Sequence, residues 1–133
     1  MFKLTLVTPD KKMLSDVEID ELIVPADRGE LDILPGHAPL MTTLHAGVLR
    51  VRIKGKSEFR QAAISWGYVQ VNQTGVTVLA DTAEWPEEID KLRAEEQYKR
   101  AMSRLQDAGL APDEYILMQN KVLKESARLA LVE

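Results

Sequence analysis

Asp90, Arg93 and Arg100 are the residues whose types and spacing come nearest to describing a binding site. Arg93 and Arg100 are seven apart, so on an α-helix they stand two turns apart on one face. Two guanidiniums placed that way can share a polyphosphate. Asp90 accepts hydrogen bonds and can read the amino group of a base. A plainer explanation covers the same residues. Asp90–Arg93 is an (i, i+3) pair near a helix start, and Glu95–Lys99 and Glu96–Arg100 are ordinary (i, i+4) pairs worth roughly 0.2–0.5 kcal/mol each. The residues alone leave both readings open.

Little else in the chain is built for chemistry. The two histidines, His37 and His45, have no metal-ligand spacing around them, and neither a catalytic triad order nor a glycine-rich phosphate loop is present. Asp32 with His37 can be drawn as an acid–base pair, which two residues near a turn support only weakly. We therefore assign no catalytic and no metal-ligating residue. Arg50, Arg52 and Lys54, with Lys56 and Arg60 nearby, make a basic strip along one strand. It reads first as a solvated strand face and second as a docking surface for an acidic partner. The absence of cysteine removes disulfides, thiol catalysis and thiolate metal sites together.

The elements that would position these residues fall into two parts. Residues 1–84 read as short strands separated by turns, and residues 85–133 as helix. Each part carries a formal charge of −2, so there is no charged tail. With a pI of about 5.3 the chain lacks the basic footprint of a nucleic-acid binder. At 133 residues and 45% hydrophobic it can bury a core. No stretch approaches the roughly 20 apolar residues of a membrane span. Any work at a membrane is expected to go through another subunit.

The first part is organised around Gly29 to Leu40, which holds Pro35-Gly36 and Pro39 between two β-rich regions. Pro35 fixes its own φ, and Gly36 supplies the positive φ that a Pro-Gly turn needs. Phe2, Leu4 and Leu6 alternate with polar residues, as do Leu49, Val51 and Ile53 with Arg50, Arg52 and Lys54. Ser65-Trp66-Gly67 is expected to interrupt a strand. The pattern predicts an antiparallel β-sandwich of about ten short strands. Beyond Trp85, Pro86 and Pro112 each precede acidic residues, which predicts two helix starts. Gly109 is placed to end the first helix, about 30 Å long at 1.5 Å per residue. Ile89, Leu92, Met102, Leu105 and Ala108 give it an interrupted apolar stripe, with Ala101 beside it. The second helix carries Tyr115, Met118, Val122 and Leu129. Together they predict an antiparallel two-helix hairpin.

At this point the chain resembles the epsilon subunit of rotary proton-translocating ATP synthase, over its whole length. The motifs that carry the resemblance are Gly-Glu-Leu-x-Ile-Leu-Pro-Gly-His-x-Pro-Leu at 29–40, Val76-Thr77-Val78-Leu79-Ala80, and Ile89-Asp90-Lys91-Leu92-Arg93-Ala94. The resemblance implies a non-catalytic central-stalk rotor subunit. Its sandwich binds the gamma subunit and sits on the ring of membrane c subunits, coupling proton-driven rotation to ATP synthesis. By position, Asp27, Arg28, Gly29 and Glu30 would face the c-ring, and His37 and Thr42 would lie toward gamma. The hairpin would either fold on the sandwich or extend into the alpha/beta catalytic head and restrain ATP hydrolysis. No cofactor is required. In some bacterial members the folded hairpin takes ATP as a regulatory ligand through a motif matched here by Ile89, Asp90, Arg93 and Ala94, with Arg100 also at a matching position. The family's arginines on the second helix are met only by Lys124 and Arg128. Two further departures are Asp32 where glycine is usual and Trp66-Gly67 where Gly-Gly is usual. The implied setting is peripheral, on the cytoplasmic face of a bacterial plasma membrane. An organelle-encoded protein would look the same.

The alternative reading is a free-standing ATP-sensing adaptor module, which would bind ATP without a partner. A third is a small hydrolase using Asp32 and His37.

Overall fold

The computed structural model describes residues 2–132. Seven strands come first: β1 (Lys3–Val7), β2 (Lys12–Ala26), β3 (Gly29–Ile33), β4 (Leu40–Leu44), β5 (Gly47–Ile53), β6 (Arg60–Val71) and β7 (Gly75–Glu84). A 3-10 turn at Pro86–Glu88 leads to α1 (Lys91–Leu105) and α2 (Pro112–Val132). The strand count is seven where about ten short ones are expected. The difference lies in strand length, because β2 and β6 are long and each changes partner along its length. β2 pairs β1 through residues 12–18 and β3 through residues 22–26. β6 pairs β5 through residues 60–64 and β4 through residues 67–71. Ser65-Trp66-Gly67 does not break β6, which pairs β7 in one register from Ala63 to Val71.

Strand neighbours close on themselves in the order β1–β7–β6–β5–β2–β1, and β3 and β4 extend the sheet. All pairs are antiparallel except β1 with β7, which run parallel. Inward alternation fills the interior with Leu4, Leu6, Leu22, Val24, Ile33, Leu49, Val51, Val69 and Val78, none of them exposed. Each such side chain contributes on the order of 1.5–3 kcal/mol by leaving water. The outward cations of β5 are met across the strands. Arg50 lies 3.6 Å from Glu30, Arg52 3.3 Å from Glu21, and Lys54 3.2 Å from Glu18. The basic strip is therefore a neutralised strand face and leaves little charge for an acidic partner.

Two close approaches shape the sandwich. A Cβ on Gly67 would come within 1.7 Å of the Leu79 carbonyl oxygen, so β6 and β7 need glycine there. Beside it Trp66 is held at φ 23°, a conformation that favours glycine. At 35–36 the Pro-Gly turn forms as the sequence predicts. Gly36 has φ 87°, and the His37 N–H donates to the Leu34 carbonyl at 3.0 Å. The first half of the 29–40 stretch is strand β3 rather than loop, paired from Gly29 to Ile33 with Ala26 to Leu22.

The hairpin lies with α2 against β5 and β6 and α1 against α2. α2 starts at Pro112 as expected, but α1 does not start at Pro86. Pro86 opens only a 3-10 turn, because the Glu88 carboxylate turns back to accept the Trp85 N–H at 2.9 Å. Ile89 and Asp90 are extended, and Asp90 then caps α1. α1 ends at Leu105, ahead of Gly109, so its 15 residues span about 22 Å rather than 30. Its buried residues are Ala94 and Ala101, while Leu92 is 77% exposed. Of the predicted stripe, Ile89 and Leu105 are half-buried and Leu92 and Met102 exposed, so the helix buries small side chains in place of the large ones.

Candidate functional site

The start of α1, the middle turns of α2 and the end of β7 border a cleft of about 330 Å³. Ile89, Asp90, Arg93 and Ala94 all line it, joined from α2 by Lys121, Lys124, Glu125 and Arg128 and from β7 by Glu84. Arg100 is not brought in. It lies farther along α1, exposed, with its Nη2 donating to Glu96 Oε1 at 3.3 Å.

Asp90 is placed by its capping role. Its Oδ1 accepts the Arg93 backbone N–H at 3.1 Å, and its backbone is extended as an N-cap requires. The same bond fixes Arg93 in the first turn, where its guanidinium borders the cleft. No ion pair engages Arg93, Lys121 or Lys124 among the described residues, so these three cations are available to an anion. Arg128 is engaged. It donates to Glu84 at 2.6 Å and to both Glu125 oxygens at 3.0 Å. Burial pulls the pKa of Arg128 down, but hydrogen bonds to Glu125 and Glu84 outweigh it and hold the pKa above its ordinary value. The cleft thus brings Arg93, Lys121 and Lys124 together beside the carboxylates of Asp90 and Glu88, with Arg128 already taken up by Glu84 and Glu125.

Sequence reading missed Glu84, Lys121 and Glu125. The helical spacing of Lys121, Lys124 and Arg128 was visible. What could not be seen was that Glu84, far away in sequence, would face them.

Of the residues expected to meet partners, Asp27, Arg28, Gly29, Glu30 and Thr42 lie together, and His37 lies beyond the other end of β3. Asp27 and Arg28 form the exposed turn between β2 and β3, followed by Gly29 and Glu30. Asp27 is tied down: its N–H donates to the Thr43 carbonyl at 3.3 Å, and its carboxylate accepts the Thr43 hydroxyl. Thr42 lies beside this turn on β4, with Met41 exposed next to it. His37 is half-buried, and its Nδ1 lies 2.8 Å from the Ala38 carbonyl. Asp32 faces a different group. Its carboxyl pKa is raised, first by burial and then by the Glu21 carboxyl beside it. Among the described residues no hydrogen bond joins Asp32 to His37, so the acid–base pair of the hydrolase reading does not form.

Fold and site together define a class: a β-sandwich that carries a helical hairpin folded over one side, with a polar cleft at the joint. The comparisons with known proteins make this specific. The ATP synthase Delta/Epsilon chain β-sandwich domain matches residues 1–86. The ATP synthase epsilon chain of Bdellovibrio bacteriovorus is 42% identical over 131 residues, covering 98% of this chain and 94% of that protein. That of Caldicellulosiruptor saccharolyticus is 38% identical over 132 residues, covering 99% and 93%. A chain in the structure of the Euglena gracilis mitochondrial ATP synthase shares the fold with a TM-score of 0.85 at 24% identity, covering 97% of this chain and 79% of that one. A chain in the central stalk/c-ring structure of the Tetrahymena thermophila mitochondrial ATP synthase shares the fold with a TM-score of 0.61 at 15% identity, covering 96% of each chain. The chain belongs to the ATP synthase epsilon chain family.

Proposed function

We propose that this chain is a non-catalytic central-stalk subunit of a rotary ATP synthase, docked through its sandwich on the gamma subunit and the c-ring. The turn at Asp27, Arg28, Gly29 and Glu30 meets the ring, and His37 and Thr42 lie toward gamma. The hairpin restrains ATP hydrolysis when it leaves the sandwich for the alpha/beta head. The family match over both parts of the chain supports the subunit assignment. One observation carries the mobile hairpin. Folded down, it leaves Leu92, Ile116, Leu117 and Leu123 exposed, at 77, 57, 61 and 47%. Four large aliphatic side chains on one small hairpin suit a second surface that covers them.

The cleft is the place for ATP as a regulatory ligand, with Arg93, Lys121 and Lys124 on the phosphates and Asp90 on the base. A nucleotide held there bridges α1, α2 and the end of β7, and so favours the folded-down hairpin. No helix among the described residues is long and apolar enough to cross a membrane. Association with the cytoplasmic face of a bacterial membrane then runs through the complex. The test is assembly. Chain added to an epsilon-depleted complex should bind stoichiometrically and restore coupling of proton flow to ATP synthesis. Binding of ATP by a chain that joins no complex would favour the free-standing sensor instead.

A further inference from the structure

Arg128 joins two carboxylates that belong to different parts of the molecule. Glu125 is one turn earlier on α2 and travels with Arg128 wherever the hairpin goes. Glu84 is the last residue of β7 and stays with the sandwich. All three side chains are withdrawn from water, Glu125 almost completely at 2% exposed. A buried carboxylate needs its cation, because an unpaired one is costly. In the docked position one guanidinium serves both. When the hairpin departs, Glu125 keeps Arg128, while Glu84 trades it for water. The Glu84–Arg128 contact therefore favours the docked position without being needed for the fold of either part.

A second feature lies next to it. Glu88 is fixed to the sandwich by Lys11 at 2.7 Å, and its other oxygen accepts the Trp85 N–H. The chain is thus anchored as far as Glu88. Ile89 and Asp90 follow in extended conformation, with φ/ψ of −86°/126° and −84°/103°. Two extended residues between an anchored turn and a capped helix can rotate without unwinding α1.

We infer that the Glu84–Arg128 contact is a latch that holds the hairpin on the sandwich, and that Ile89–Asp90 is the pivot on which the released hairpin turns. This rests on the hairpin's being mobile. It needs neither nucleotide nor partner, so it can be tested on the isolated full chain.

The experiment is amide hydrogen exchange on wild type, Glu84→Gln, Arg128→Gln and the double variant, without nucleotide. Glu84→Gln leaves the Arg128–Glu125 pair intact and removes only the charge across the joint. Loss of a charged hydrogen bond predicts roughly tenfold or faster exchange of α1 and α2 amides in each single variant. Arg128→Gln removes the Glu125 pair as well as the contact with Glu84. The double variant should therefore be no faster than Arg128→Gln alone, since Glu84→Gln then has no contact left to remove. Exchange in the cores of β6 and β7 should not change. Hairpin amides that open ahead of the core but ignore Glu84→Gln would overturn the latch alone. Hairpin amides that exchange only together with the core would remove the mobile hairpin and the latch with it. Faster exchange throughout the sandwich in Glu84→Gln would make the contact a fold determinant and also overturn the latch.

Discussion

The Asp90 carboxylate accepts the Arg93 backbone N–H at 3.1 Å, so one side chain both starts α1 and walls the cleft. Those two roles can be separated. Asp90→Ala removes the cap, which costs about 1 kcal/mol of helix stability, and removes the carboxylate. Asp90→Asn keeps the cap and removes only the charge. Thermal unfolding should show a loss in Asp90→Ala that Asp90→Asn largely avoids. ATP titration should show weaker binding in both. Equal ATP affinity in all three chains would leave Asp90 as a helix cap and nothing more.

Arg93 and Arg100 share a helix but not a site. Arg93 borders the cleft, and Arg100 pairs with Glu96 outside it. Arg93→Ala should weaken ATP binding by about tenfold or more, the effect of losing a charged hydrogen bond. Arg93→Ala also keeps the backbone N–H that Asp90 captures. Arg100→Ala should change affinity little in the folded-down hairpin. Equal losses in the two variants would mean that bound nucleotide draws Arg100 inward.

Glu88 gives the hairpin joint an acid limb. Its pKa is lowered from 4.5, first by the hydrogen bond from Lys11 and then by the Trp85 N–H. A carboxylate whose folded pKa is depressed stabilises the fold above its unfolded pKa and loses that contribution as pH falls through the folded value. Stability measured from about pH 6 down to about pH 3 should therefore drop more steeply in wild type than in Glu88→Gln. Parallel curves would mean that Glu88 holds nothing at the joint.

Glu30 is exposed, and its 3.6 Å pair with Arg50 lies at the surface. Such pairs contribute about 0–1 kcal/mol, so Glu30→Lys should fold almost normally. If the turn at 27–30 meets the ring, the reversed charge should reduce coupling between proton flow and ATP synthesis in the assembled complex. Full coupling in Glu30→Lys would remove Glu30 from that contact.

Local patterns were legible where a short stretch decides the outcome. Alternation at Leu4 and Leu6 and at Leu49 and Val51 marked core strands. Pro35-Gly36 marked its turn, and Pro112 marked the start of α2. What failed were features set by distant residues. Pro86 looks like a helix start, yet Glu88 closes a turn on Trp85 and Asp90 offers a better cap four residues on. Leu92 looks like a core residue, yet the positions α1 buries are Ala94 and Ala101. Arg50, Arg52 and Lys54 look like a basic surface until β2 and β3 bring carboxylates beside them. Trp66 is the clearest local conflict, a bulky residue at φ 23° in an unbroken strand. In the cleft, Ile89 to Ala94 were found by motif. Glu84 and Glu125 became visible only once the hairpin was folded onto the sandwich.

The restraint on hydrolysis is tested most directly by titrating an epsilon-depleted catalytic head with the full chain and with a chain ending at Trp85, measuring ATP hydrolysis. If the sandwich carries the docking surface, both should bind, and only the full chain should slow turnover. Inhibition by the shortened chain, or none by the full chain once bound, would contradict a hairpin that restrains the enzyme.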